Sequence, residues 1–266
     1  MPIVRVSYLG PKYSFTYEAA QLLYPQEQLI PADTIRSVVS LVESGEADVG
    51  VIPLENSLHG PVAESIDALA DTMLHMNAIV EMRVTLVVAG DPGISRIYGH
   101  PHALAEASRW LDANLPEHTR IAMSSTSSAA IAAREEGGLC VCSRSAAEAL
   151  NLNIIAEGVE SGDNYTRFAF LSWSDSPKGA ERTSIMALIP DVPGGLYRFL
   201  EPYASNNVNL TMIYSRPTRG KPWRYVFYIE MEGSRLNERV NRALRESRER
   251  SLMLKILGSY RIMKYS

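Results

Sequence analysis

Asp48-Val49-Gly50-Val51-Ile52-Pro53-Leu54-Glu55-Asn56-Ser57-Leu58-His59-Gly60-Pro61-Val62 is the stretch that decides the fold. Its opening is an apolar run of strand length, and the apolar residues after it, Val62, Ile66, Leu69 and Met73, recur at helical spacing. A buried strand that leads through a Gly- and Pro-bounded loop into a helix is the repeating unit of an open α/β sheet. Such sheets bind ligands beyond the carboxyl ends of their strands, which is where Glu55, Asn56 and Ser57 fall. The same triplet equally suits a hydrophilic loop with no ligand.

Toward the N-terminus the logic repeats. Ile3 to Leu9 alternates as a strand, Gly10-Pro11 breaks it, and Ser14 stands where it can cap a helix over Phe15 to Leu23. The free N–H groups and partial positive charge of such a terminus let a carboxylate sit against Ser14 and Thr16; a plain N-cap is the alternative. Thr34 to Val42 reads as a further helix. Toward the C-terminus, Ile79 to Ala89 reads as one long strand or two, crossing into a second lobe. Ile97–His100, a helix over Ala103–Leu111, Ile121-Ala122-Met123, a helix over Ala129–Glu136 closed by Gly137-Gly138, a strand over Leu139–Cys142 and a helix over Ser145–Leu150 follow. The hydroxyl cluster holding Ser125 and Thr126 opens a helix in this lobe as Ser14 and Thr16 do in the first. Two helix N-termini facing each other across a cleft would grip the ends of a small dianion, although Ser-rich junctions also serve as linkers.

Asp163-Asn164-Tyr165-Thr166-Arg167-Phe168 lies between two short apolar segments that read as strands, 153–159 and 167–173. Gly162 and Asp163 are turn residues, so Asn164, Thr166 and Arg167 are expected on a loop and the first residues of a strand. An amide, a hydroxyl and a guanidinium on one rim donate hydrogen bonds, which suits an anionic substrate. A polar turn with purely local contacts is the other reading.

Composition bounds the rest. The chain has 266 residues, 46% of them hydrophobic, and a net charge of -4, the profile of an ordinary soluble protein of one or two domains. No basic stripe points to nucleic acid, because the arginines between Arg235 and Arg250 alternate with glutamates at helical spacing. No apolar run approaches the roughly 18 residues of a membrane span, and no charged leader precedes a long apolar segment, so a cytoplasmic location is expected. Cys140 and Cys142 fall on the same face of one strand, where a disulfide would be strained, so both are expected as thiols. His100 and His102 lack a third ligand at zinc spacing; no metal site is expected.

Ser172 to Glu181 has the composition of a linker, which divides the chain into 1–175 and 182–264. The second part runs strand Thr183–Ile189, helix Gly195–Ala204, strand Val208–Ser215, strand Trp223–Met231, helix Leu236–Arg245, strand Leu252–Ile262, the βαββαβ order of a ferredoxin-like module. Its expected core includes Ile185, Ala187, Leu196, Phe199, Leu210, Ile213, Val226, Tyr228, Leu252 and Leu254. Pro193-Gly194-Gly195 exposes backbone N–H groups at a strand-to-helix turn, either to hold an amino-acid carboxylate or to let the helix pack closely.

Gly10-Pro11-x-x-Ser14-Phe15-Thr16, Pro53-x-Glu55-Asn56-Ser57-x-x-Gly60-x-Val62, His100-Pro101-x-Ala103-Leu104-Ala105, Ser125-Thr126-x-x-Ala129-Ala130 and Asn164-x-Thr166-Arg167-Phe168, in that order, resemble prephenate dehydratase. The C-terminal module resembles the ACT regulatory domain that follows it in that family, with Asn209-Leu210-Thr211 and Ser215-Arg216-Pro217 at the effector motif. The resemblance implies a two-lobed catalytic domain similar to type II periplasmic binding proteins, with the site between its lobes. It further implies dimerisation through the ACT domains, as a homodimer or dimer of dimers, and, with no chorismate mutase segment visible, the monofunctional form. Thr166, Arg167 and Phe168 carry over as the catalytic motif, and Ser14, Thr16, Glu55, Asn56, Ser57, Ser125, Thr126 and Asn164 as substrate contacts. Gly195, Leu196, Asn209, Leu210 and Ser215 carry over as the site for the effector L-phenylalanine. The chain departs from the family at Tyr13, where Gly is usual, at Tyr214, where Glu is usual, and at Gly195-Leu196-Tyr197, where Ala-Leu-Val is typical.

The implied reaction, loss of carbon dioxide and water from prephenate to give phenylpyruvate on the route to phenylalanine, creates an aromatic ring. It therefore calls for alignment and help to the leaving hydroxyl rather than a cofactor. Thr166 does not titrate near neutrality and is expected to act as a hydrogen-bond donor; Arg167 is expected as either a carboxylate clamp or a strut, and Glu55 as an acceptor orienting the loop. Arogenate as substrate, decarboxylation of prephenate without aromatisation, and a non-catalytic aromatic-anion sensor remain as alternatives.

Overall fold

The computed structural model describes residues 3–217 and 225–265, and the chain forms two compact units. One comprises Met1–Gly60, Glu81–Phe168 and Tyr265–Ser266, the other Pro61–Val80 and Ala169–Lys264.

In the first unit the strand Arg5–Leu9 runs parallel to Gln28–Ala32 on one side and to Val49–Asn56 on the other. Gln28–Ala32 was not foreseen, because it is short, half-exposed and contains Pro31, a residue tolerated only where a strand lacks a partner on one side. The helices Phe15–Leu23 and Ile35–Glu43 start at side-chain caps from Ser14 and Thr34. The second helix packs so closely that a Cβ on Gly50 would lie 3.1 Å from both Val38 and Val42. The strand expected to end at Pro53 continues to Asn56, so Glu55 and Asn56 ride on the strand rather than on a loop. Thr166 and Arg167 likewise lie within the strand Tyr165–Ser172.

A second sheet in the same unit has five strands in the order Ile154–Glu157, Leu86–Gly90, Leu139–Ser143, Arg96–Gly99, Thr119–Ala122. Small residues, Ala129, Ala130, Ala132 and Ala133 of the helix Thr126–Glu136, pack one face together with Cys140 and Cys142. Both cysteines are buried and free, with the sulfurs 3.5 Å apart. The single helix expected over 103–111 divides into Pro101–Glu106 and Ser108–Asn114 at Ala107, although the hydrogen bonds from Ala107 N to Ala103 O and from Leu111 N to Ala107 O run through the break.

In the second unit the strands follow the order Leu210–Pro217, Tyr225–Glu232, Arg182–Leu188, Met253–Tyr265, all antiparallel, with the helices Gly195–Ser205 and Glu238–Glu249. This is the expected βαββαβ module, closed around Ile185, Phe199, Tyr203, Ile229, Val240 and Leu244. Trp223, expected to open its third strand, lies outside the described residues. Three expected core residues are corrected: Leu196 is 40%, Ile213 46% and Leu252 59% exposed. Ile213 and Leu210 have opposite parity along a pleated strand, so both cannot face the same core. Leu196 stands in the first helical turn and Leu252 in the turn before the last strand, beside an open cavity. Among the described residues no helix is long and apolar enough to cross a membrane.

Candidate active site

The end of Val49–Asn56 and the start of Tyr165–Ser172 are joined by backbone and side chain. Ser57 N–H donates to Tyr165 O at 2.8 Å, and Tyr165 N–H donates to Ser57 Oγ at 2.9 Å. This pairing brings Asn56 against Thr166. Asn56 Nδ2 donates to Thr166 Oγ1 at 3.0 Å and to Asn164 Oδ1 at 2.6 Å, while Asn56 Oδ1 accepts from the N–H groups of Leu58 and His59 at 2.9 and 3.0 Å. The amide is therefore fixed at both ends.

Arg167 lies next along the strand, and its guanidinium donates to Glu81 Oε2 at 2.9 Å and to Glu55 Oε2 at 3.3 Å. These bonds connect the strands of Glu55 and Arg167 to Glu81 in the strand His75–Arg83. Glu55 is correspondingly held as an acceptor. Phe168, in the same motif, is 1% exposed and belongs to the core.

Asn164 is 2% exposed, and both ends of its side chain meet protein: Oδ1 accepts from Asn56, and Nδ2 donates to Glu106 Oε2 at 2.8 Å. Glu106 ends the helix Pro101–Glu106, whose last carbonyl accepts from both the N–H and the hydroxyl of Ser161. His59 Nε2 meets Glu106 Oε1 at 3.0 Å, and the His59 ring stacks on His102 with centroids 4.4 Å apart. Burial, and then His102, push His100 below the usual imidazole range. His59, Glu81 and Glu106 carry no expectation from the sequence, and His102 was weighed there only as a metal ligand. The available signal was the i, i+4 spacing of His102 and Glu106, which places both on one helix face behind a motif that had been read only as far as Ala105.

The two predicted helix N-termini are present. Ser14 caps Phe15–Leu23 by accepting from Tyr17 N–H and itself donates to Leu9 O, with Thr16 buried behind it. Ser125 caps Thr126–Glu136 in a reciprocal capping box with Ser128. Glu18, on the first of these helices, reaches Ser145 of the second sheet's lobe, and burial raises its carboxyl above the usual range against the opposing effect of Ser145 and Ser143.

The residues expected to bind the effector divide between two places in the second unit. Gly195 and Leu196 line a cavity of about 480 Å³ with Tyr197, Tyr225, Phe227 and Leu252, whereas Asn209 lines another of about 540 Å³ with Asn207, Glu232 and Arg239. Ser215 precedes Arg216, whose guanidinium grips Asp67 with two bonds of 3.0 and 2.6 Å.

Fold and site thus define a two-part α/β protein, with a donor cluster at the strand ends of the first unit and an ACT-type module in the second. A family model for prephenate dehydratase matches residues 6–176 and one for the ACT domain matches residues 183–249. The bifunctional chorismate mutase/prephenate dehydratase of Aquifex aeolicus is 39% identical over 265 residues, covering 97% of this chain and 73% of that protein. The crystal structure of prephenate dehydratase from Arthrobacter aurescens in complex with L-Phe superposes with a TM-score of 0.88 at 33% identity, over 97% of this chain and 90% of that one. A structure described as GqqA, a novel type of quorum quenching acylase, gives the same TM-score of 0.88 at 27% identity, over 97% and 98%. The chain belongs to the prephenate dehydratase family.

Proposed function

We propose that this chain converts prephenate to phenylpyruvate, carbon dioxide and water, and that phenylalanine regulates it through the ACT module. The observation that carries the reading is the bond from Asn56 Nδ2 to Thr166 Oγ1. In the reaction the bond from the ring to its carboxylate breaks, its electron pair enters the ring, and the hydroxyl leaves from the opposite ring carbon, taking up one proton to become water. Thr166 donates a hydrogen bond to the departing oxygen while Asn56 holds it in place, and such preorganised donors are commonly worth about 10²–10³ in rate. Ser57 and the helix N-termini at Ser14–Thr16 and Ser125–Thr126 are assigned to the substrate carboxylates, and Arg167 braces the strand ends through Glu55 and Glu81.

Residues 1–175 form the catalytic domain and 182–264 the regulatory one, in a cytoplasmic enzyme. The separation of Gly195 and Leu196 from Asn209 within one chain supports an effector site completed by a second copy, hence a dimer through the ACT modules. The exposed Leu196, Tyr197, Ile213 and Leu252 supply apolar surface for that contact.

Turnover of prephenate and of arogenate, each with and without phenylalanine, tests the reading. It predicts a product with the alkaline absorbance of phenylpyruvate and inhibition by phenylalanine. A decarboxylated product that keeps its hydroxyl, or binding without turnover, would contradict it. The likeness to an acylase makes acyl-bond hydrolysis the second reading, favoured if the chain instead releases a carboxylic acid from an N-acyl substrate.

A further inference from the structure

We propose that Glu106 is a positioning residue: it sets the direction of a hydrogen-bond chain through Asn164 and Asn56, so that the hydrogen of the Thr166 hydroxyl is left to the substrate. The assignment rests on the dehydratase reading above.

The argument follows donors and acceptors. The atom of Asn164 facing Glu106 is the amide nitrogen, which donates to Oε2 at 2.8 Å. The oxygen of Asn164 is then turned to Asn56, where it accepts at 2.6 Å. From the opposite side the N–H groups of Leu58 and His59 hold the oxygen of Asn56, so its nitrogen faces Asn164 and Thr166. The two ends of the chain agree: one hydrogen of the Asn56 nitrogen goes to Asn164 Oδ1, and the other lies between Thr166 Oγ1 at 3.0 Å and Tyr165 O at 3.3 Å, which makes the nearer Thr166 Oγ1 an acceptor. A hydroxyl that accepts there directs its one hydrogen elsewhere, away from Asn56. Were Asn164 reversed, its nitrogen would confront that of Asn56, donor against donor, and push on the amide that Leu58 and His59 hold from the other side, disturbing its bond to Thr166.

Glu106 is itself held. His59 Nε2 lies 3.0 Å from Oε1 and must carry a hydrogen to bond there, while the His59 ring rests on His102. The backbone N–H of His59 is one of the two that fix Asn56, so one residue braces both ends of the chain. Glu106 works through Asn164 and Asn56 rather than on the reacting atoms.

Kinetics with prephenate for five proteins test this: wild type, Glu106→Leu, Glu106→Gln, Asn164→Asp and the Glu106→Gln/Asn164→Asp pair, with melting temperatures as the control for folding. Glu106→Leu is expected to lower kcat about 10²-fold with KM changed by less than about threefold, the split expected when ground-state binding is spared. Glu106→Gln keeps an acceptor oxygen for Asn164 and is expected to restore most of that loss. Asn164→Asp sets two acceptors face to face and is expected to lower kcat at least as far. Adding Glu106→Gln supplies a donor to the new carboxylate and is expected to recover about tenfold or more over Asn164→Asp alone, a coupling that two independent structural lesions do not produce. Wild-type kcat in a folded Glu106→Leu, or a double variant no better than Asn164→Asp, overturns the assignment while the dehydratase reading stands. A wild type that consumes no prephenate overturns both.

Discussion

Asn56 and Thr166 are separated by 110 positions in the chain, yet the amide of one donates to the hydroxyl of the other at 3.0 Å. The contact exists because the strand ends at Ser57 and Tyr165 are paired in both directions. Asn56→Ala removes the group that orients Thr166, and kcat for prephenate is expected to fall about 10²-fold with the fold retained. An unchanged kcat would separate Asn56 from the chemistry.

Arg167 joins Glu55 and Glu81 with about a quarter of each Arg167 and Glu55 side chain in contact with solvent. Removing the guanidinium leaves two carboxylates near each other, and Arg167→Met is expected to destabilise by about 1–3 kcal/mol, discounted from the buried-pair value for that exposure. Arg167→Lys keeps the charge without the fork that spans both acceptors, and should recover less than half of the loss. Urea midpoints at constant slope measure both; equal midpoints for all three proteins would contradict the strut.

Tyr13 holds a left-handed backbone, φ 68°, in the turn after the first strand, with its ring against Tyr17 and beneath Lys12. Any residue with a Cβ is strained there by roughly 1–2 kcal/mol, and glycine is not. Tyr13→Ala therefore loses the ring and keeps the strain, whereas Tyr13→Gly loses both. Thermal denaturation should find Tyr13→Gly the more stable by about 1 kcal/mol, the reverse of the order at an ordinary position.

Glu18 gives a pH dependence with a definite sign. Burial raises its folded-state value, so the stability tied to its protonation is fully present below the unfolded value, about 4.3, and is lost as pH rises through the raised one. Glu18→Gln has no such titration. The melting temperature of wild type should therefore decline relative to Glu18→Gln between about pH 4 and pH 7. A relative rise over that window would contradict the burial cause.

Arg216 and Asp67 link the segment after Ser215 to the helix Ala63–Asp71, which begins shortly beyond Asn56 in the chain. If that pair transmits the effector's presence, Asp67→Asn should weaken inhibition by phenylalanine severalfold, and the reciprocal effect of prephenate on phenylalanine affinity should shrink by the same factor, as linkage requires. Calorimetry showing unaltered mutual weakening would exclude this route.

The α/β order, the βαββαβ module and nearly every helix were legible, because apolar spacing and caps such as Ser14, Thr34 and Ser125 are local signals. The strand Gln28–Ala32 was not, since a half-exposed edge carrying Pro31 has no strong alternation. Leu196, Ile213 and Leu252 were read inward because apolar character does not say which face of a module it will cover. At the candidate site, Asn56, Thr166 and Arg167 stood out by motif and residue type, and the structure brings them together. The contact of Arg167 with Glu81, in a distant strand, and those of Glu106 with His59 and Asn164, which meet it from separate segments, were not legible in the sequence. Such partners are long-range facts with no periodic trace in the chain.

The most direct test of the donor-cluster account is the rate of phenylpyruvate formation from prephenate by wild type and by Thr166→Ala at saturating substrate. A fall of about 10²–10³-fold in kcat, with the melting temperature held and Thr166→Ser retaining most of the rate, is the predicted result. A folded Thr166→Ala that aromatises prephenate at the wild-type rate would contradict it.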